Sequence, residues 1–208
     1  MHARETQRQD KRARILEAAV RVFADRGFFN ATVAEIARAA GVADGTIYLY
    51  FKGKDDLLLQ LFEEKMAELT ASAQAALSEE QDAPARLKQF IVHHFQAVEK
   101  NPELAAVLIV EVRQSAQALR PAEKARLTAY LDLIAEVVRA GQDRGEIAQG
   151  ISPSVVKRAI FGALDELALG WLRSGRRASL KKTAAEVAEW FVRGLRPSNE
   201  SSKGGTSP

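Results

Sequence analysis

Residues 32–58 read TVAEIARAAGVADGTIYLYFKGKDDLL, and two short helices fit into them around one glycine. Thr32 stands as an N-cap with Glu35 three residues on, a capping box that satisfies orphan N–H groups and opens a helix. Gly41 closes it, because the reversal at Ala40-Gly41-Val42 needs the backbone freedom of glycine. Ala43, Asp44 and Gly45 start the next helix, which runs to about Tyr50 before Lys52-Gly53-Lys54 breaks it. The spacing fits a helix-turn-helix, and it also fits an ordinary helical hairpin, so the residue types decide. A helix entering the DNA major groove needs small residues at its start and hydroxyls or donors for bases and phosphates. Ala43, Gly45, Thr46, Tyr48 and Tyr50 supply them.

Working outward, apolar residues recur at helical spacing almost throughout, and no stretch shows the two-residue alternation of a strand. The expected fold is all-α. Ile15, Ala18, Ala19, Val22 and Phe23 place a first helix over about residues 9–26, with Gly27 as its stop. Leu57, Leu58, Leu61, Phe62, Met66 and Leu69 mark a long fourth helix reaching the Ser78 region. A loop at residues 78–84 leads to a fifth helix carrying Leu87, Phe90, Ile91, His94, Phe95 and Val98, and a sixth spans about 102–114. Pro121 opens a seventh, a glycine-interrupted connection covers 141–153, and two helices follow at roughly 153–174 and 180–195. This divides the chain into a three-helix head (1–54), a six-helix body (55–196) and a polar tail (197–208) expected to be disordered.

Composition narrows the function. The 208 residues contain no cysteine, which excludes disulfides, thiolate metal cages and a cysteine nucleophile. The N-terminus lacks an apolar signal segment, and no run of roughly 18 apolar residues occurs, so the expected location is cytoplasmic with no membrane partner. Charge is unevenly placed: residues 1–54 hold ten Lys/Arg against six Asp/Glu, whereas the remainder holds twenty against twenty-one. A basic head on a neutral body suits polyanion binding; a solvated basic tail is the alternative.

The stretch at 32–58 resembles the DNA-binding domain of TetR-family regulators. That resemblance implies an N-terminal DNA head on a helical body that binds a small ligand and dimerises. It also implies phosphate contacts by Thr32, Tyr48, Tyr50 and Lys54, with groove contact by the start of the third helix. Elementary physics runs parallel to these roles. Thr32 sits where helix amides attract a phosphate, although capping alone accounts for it. Ile47 and Phe51 lie one turn apart and belong in the core, which turns Tyr48 outward. Lys54 begins the fourth helix, where a cation opposes the dipole and a phosphate would compensate; a solvated lysine is the alternative. Asp44 is expected to cap its helix, with acceptance from a cytosine amino group as the other role open to it.

The eighth helix, VVKRAIFGALDELALGWL, carries a bulky stripe of Ile160, Phe161, Leu164, Leu167, Trp171 and Leu172, and a face of small residues at Ala159, Gly162, Ala163 and Gly170. Small residues let another helix approach closely. With Val187, Trp190, Phe191 and Leu195 of the ninth helix they suggest a four-helix dimer interface, intramolecular packing being the other reading. His94, Glu111 and Asp165 fall within apolar stripes and could orient a ligand, or bond to one another or to backbone. The neighbours His93 and His94 point apart on a helix, which speaks against a metal site.

HHF (93–95), EVRQS (111–115) and IFGALDELALGWL (160–172) are similar to acyl-CoA-responsive repressors of fatty-acid degradation. This implies an apolar tunnel, for which Phe90, Leu108, Phe161 and Trp171 are candidates, with Arg113 and Arg120 as cations for the CoA phosphates. The sequence therefore reads as a homodimeric repressor, without cofactor, that binds a palindromic double-stranded operator and is released by a long-chain acyl-CoA. The same scaffold sensing a drug or other apolar effector is the second reading. A helical enzyme using His94, Glu111 and Asp165 is the third, unsupported by any activated serine, cofactor loop or metal spacing.

Overall fold

The computed structural model describes residues 2–111 and 121–197, and within them every regular element is a helix. α1 (His2–Arg26), α2 (Val33–Ala40) and α3 (Asp44–Ile47) build the head, and α4 (Lys54–Ser78) leads out of it. α5 (Ala83–Lys100), α6 (Pro102–Ala106), α7 (Pro121–Asp143), α8 (Pro153–Arg173) and α9 (Leu180–Gly194) complete the body. The expected polar tail lies outside the described residues from 198 onward. No described helix is long and apolar enough to cross a membrane.

Three boundaries differ from the sequence expectation. α1 begins at His2 instead of near residue 9: no breaker precedes that point, and Arg8 of the added turns lies 5.9 Å from the Tyr50 ring centroid. Arg12 donates to Gln60 Oε1 at 2.8 Å and pairs with Glu64, both on α4. α3 ends at Ile47; the chain to Phe51 continues as tighter turns, with Leu49 N–H on the Thr46 carbonyl and Tyr50 N–H on that of Ile47. The sixth helix was expected to stay regular to about residue 114, yet it widens into a π-turn at Val107–Glu111. The extra residue per turn lets one short apolar run serve two cores at once.

The two cores meet on α4. The head core packs Ile15, Phe23, Ile36, Ile47, Phe51, Leu57 and Leu61, and takes Val107 from the π-turn. Starting one residue later, Phe62 and Met66 belong to the body core with Phe90, Phe95, Tyr130, Ile160 and Trp171.

Within the head the capping box forms as expected: Glu35 N–H donates to Thr32 Oγ1 at 3.2 Å, and Thr32 N–H to Glu35 Oε2 at 2.9 Å. Gly41 adopts φ +66°, and its N–H caps α2. A side chain there would also press within 3.2 Å of the Arg14 guanidinium, which holds the Ala40 carbonyl at 2.6 Å. The turn is thus fixed by backbone conformation and by space together.

Candidate functional site

The turn of the head presents Ala43, Asp44 and Gly45 to solvent at the start of α3. A Cβ on Gly45 would meet nothing within 4 Å. Glycine weakens a helix by about 1 kcal/mol relative to alanine, so a glycine without internal cause is consistent with close approach from outside. Thr46 is half-buried, Tyr48 is 60 % exposed, and Ile47 is sealed in the core. Tyr50 is half-buried, with the Arg8 guanidinium 5.9 Å from its ring centroid. Leu49, which the sequence reading passed over, is 72 % exposed beside Tyr48, and Phe29 of the α1–α2 loop is 69 % exposed. A large apolar residue between two tyrosines, off the core register set by Ile47 and Phe51, was the available signal.

Two side chains expected on phosphate are engaged elsewhere. Lys54 Nζ donates to the carbonyls of Phe28, Phe29 and Ala31 at 3.0, 2.8 and 3.2 Å, and lies 4.9 Å from the Phe28 ring centroid. The three donors of the ammonium are occupied, so carbonyl oxygens provide the compensation for which a phosphate was invoked. The Thr32 hydroxyl donates to Glu35 Oε2 at 2.8 Å, and this bond is the first cause holding the Glu35 carboxyl below its ordinary range. Asp44 does not cap: Ala43 is the N-cap of α3, and Asp44 occupies its first turn.

In the body, α4 to α8 enclose a cavity of about 200 Å³. Its wall is mainly Phe62, Met66, Leu69, Val98, Leu104, Leu108, Ile109, Leu127 and Phe161, with Tyr130, Asn101, Lys65, His94 and Asp165 as its polar members. Of the expected ligand residues, Leu108, Phe161, His94 and Asp165 line it. Phe90 and Trp171 do not. Phe90 is fully buried behind the wall, its ring 5.0 Å from that of Tyr130, and Trp171 donates its indole N–H to the Ala178 carbonyl within the core. Arg113 and Arg120 lie outside the described residues, as does the side chain of Glu111. The contribution of α4 was missed, because its apolar stripe reads as core until the partner helices are in place.

His94 is buried, with Nδ1 3.1 Å from the Tyr130 hydroxyl and Nε2 without a hydrogen-bond partner. Burial, reinforced by its neighbour His93, pushes its pKa down to about 4, so the ring is neutral near pH 7. Burial likewise raises the Tyr130 phenol above its ordinary value. Lys65 sits on the wall with its ammonium 2.8 and 2.9 Å from the Glu68 carboxylate oxygens.

The outer face of α8 exposes Ala159, Gly162 and Gly170, and a Cβ on either glycine would meet nothing within 4 Å. Val155 (60 %) and Leu167 (40 %) of the same helix, and Trp190 (69 %) of α9, are exposed large apolar residues. Leu167 therefore joins the small-residue face instead of the core stripe to which its spacing assigned it. Leu195, expected on the same surface, is buried in the body core just past α9.

Two family profiles match the chain, meeting where the two cores meet. Residues 15–61 match "Bacterial regulatory proteins, tetR family", and residues 62–194 match "YsiA-like protein, C-terminal region". The fatty acid metabolism regulator protein of Bacillus subtilis (strain 168) is 35% identical over 189 residues, covering 91% of this chain and 97% of its own. The crystal structure of the transcriptional regulator FadR from Bacillus subtilis in complex with stearoyl-CoA superposes with a TM-score of 0.83 at 35% identity, covering 88% of this chain and 99% of that one. The fatty acid degradation regulator FadR from Bacillus halodurans gives 0.82 at 34%, covering 89% and 96%.

Proposed function

The chain belongs to the TetR family of bacterial regulatory proteins, and from that premise we propose that it is a dimeric repressor of fatty-acid degradation genes, released from its operator by long-chain fatty acyl-CoA. The observation that carries this reading is an apolar cavity whose wall is continuous with the head. On α4 the last head-core residue, Leu61, is followed by the cavity residue Phe62. On the sixth helix Val107 packs in the head core while its neighbour Leu108 lines the cavity. Two elements thus run from the ligand's place to the DNA reader's base. A relative crystallised with stearoyl-CoA supports an acyl chain as the occupant, and the apolar wall suits one. Lys65 is a cation of the described wall that could meet CoA.

An effector acts only through its different affinity for two conformations. Occupancy that displaces α4 and the π-turn moves the two heads of a dimer out of register with successive grooves, about 34–36 Å apart. A coupling of about 1–3 kcal/mol suffices for a 5- to 150-fold loss of operator affinity. The open face around Gly162 and Gly170, together with the exposed Trp190 of α9, supports the dimer, and Gly162→Phe should yield monomers by light scattering at micromolar concentration.

The deciding experiment titrates acyl-CoAs of several lengths, CoA alone and free fatty acids into a complex with a palindromic operator. Release by long acyl-CoAs alone is expected. Release by none of them, or equally by free acid, removes the acyl-CoA reading and favours another apolar effector.

A further inference from the structure

The cavity is not merely greasy: His94, one of its wall residues, has a buried ring nitrogen that the described residues leave without a partner. His94 Nε2 is buried and makes no hydrogen bond, although Asp165 lines the same cavity. The other ring nitrogen, Nδ1, faces the Tyr130 hydroxyl at 3.1 Å. Tyr130 is completely buried, and its phenol keeps its proton, so that O–H requires an acceptor. Among the described residues Nδ1 is the acceptor within reach. Tyr130 therefore donates, Nδ1 carries no proton, and the neutral ring must hold its single proton on Nε2. The ring plane is fixed as well, by Tyr130 at 6.2 Å and by Phe161, edge-on at 6.2 Å and itself part of the cavity wall. The result is an oriented donor carried by a residue of an apolar wall. A saturated hydrocarbon chain cannot satisfy it.

Resting on the acyl-CoA reading, we propose that His94, oriented by Tyr130, donates an Nε2–H hydrogen bond to the thioester carbonyl of the bound acyl-CoA, so that the cavity recognises the activated acyl group as well as its chain. The carbonyl of a thioester is the acceptor that every acyl-CoA carries at the junction of its apolar and polar halves, whatever the chain length. A hydrogen bond in so dry a place discriminates strongly against a ligand lacking the acceptor, since the donor is then left unpaired.

The test compares hexadecanoyl-CoA with S-hexadecyl-CoA, the thioether of equal chain length in which a methylene replaces the carbonyl, by calorimetric titration of the full chain. The unmodified protein should bind the thioester about tenfold more tightly, a difference of about 1.4 kcal/mol. In His94→Phe that ratio should fall to about one, and in Tyr130→Phe, which frees the tautomer, it should fall partway. His94→Gln, a smaller change that retains a donor, should keep part of the preference and serves if the phenylalanine variant does not fold. Equal binding of thioester and thioether to the unmodified protein overturns the His94 hydrogen bond and leaves the acyl-CoA reading standing. Binding of neither overturns both.

Discussion

The head and the cavity of the body use polar side chains in opposite ways. In the head, Lys54, Arg14 and the Thr32–Glu35 pair are turned onto backbone groups and onto each other, locking the α1–α2 loop, the end of α2 and its start. In the body, His94 and Asp165 border a cavity, and His94 keeps one nitrogen unpaired. A reader of DNA needs fixed geometry, and a sensor gains selectivity from a polar atom, here His94 Nε2, that stays unpaired until a ligand arrives. The difference teaches that rigidity and responsiveness are separated at one point on α4, between Leu61 and Phe62.

The largest expected effect falls on the head. Lys54→Met removes three charge-assisted bonds to carbonyls, each ordinarily contributing about 1.5–3 kcal/mol; with partial exposure the total should be roughly 3 kcal/mol of head stability. A phosphate-contacting lysine predicts something else: an intact head and a salt slope, log K against log salt, reduced by about one. Chemical denaturation beside salt-dependent operator titration separates these outcomes. A stable head with a reduced slope would break the proposed clamp and restore Lys54 to the DNA.

The boundary itself can be probed with two adjacent residues. Val107→Ala deletes apolar volume from the head core and should cost roughly 2 kcal/mol of stability while effector affinity is preserved. Leu108→Trp fills the cavity instead, and should abolish release by acyl-CoA with operator affinity changed by no more than about twofold. If both variants lose induction equally, or both weaken DNA binding equally, the division of labour within the π-turn is wrong.

The head was legible because its information is local. A capping box, a glycine at φ +66° and a core pair one turn apart all lie within 27 consecutive residues, 32–58. Helices of the body were legible for the same reason, down to proline and aspartate signals such as Asp82, whose carboxylate caps α5. The cavity was only half legible. Periodicity says that Phe90, Trp171 and Phe161 face inward, but which inward residue borders empty space depends on the partner helix, and only Phe161 does. Nor does spacing reveal that Lys54 finds three carbonyls some 25 residues away.

The smallest effect separates the two regions by acidity. His94 has its pKa lowered to about 4, first by burial and then by repulsion from His93, whose own pKa burial also lowers. In the unfolded chain a histidine titrates near 6.5. The neutral ring therefore contributes stability that is complete above pH 6.5 and is lost as pH falls toward 4, because the unfolded chain takes up a proton that the native body refuses. The shifted carboxylate of the head, Glu35, acts lower: its contribution is present above its unfolded value of about 4.5 and declines only beneath it. Glu146 of the body, held at about 2 chiefly by Arg144, also matters only in that lower range. Between pH 6.5 and 4.5 acid should thus weaken the body selectively, by about 1 kcal/mol at pH 5.5. Both tryptophans, Trp171 and Trp190, lie in the body, so urea unfolding followed by tryptophan fluorescence reads that region directly. The midpoint should fall between pH 7.5 and 5.5 in the unmodified protein and fall less in His94→Gln. Coincident curves at the two pH values would show that His94 accepts its proton in the native state, and the neutral, oriented donor would be lost with it.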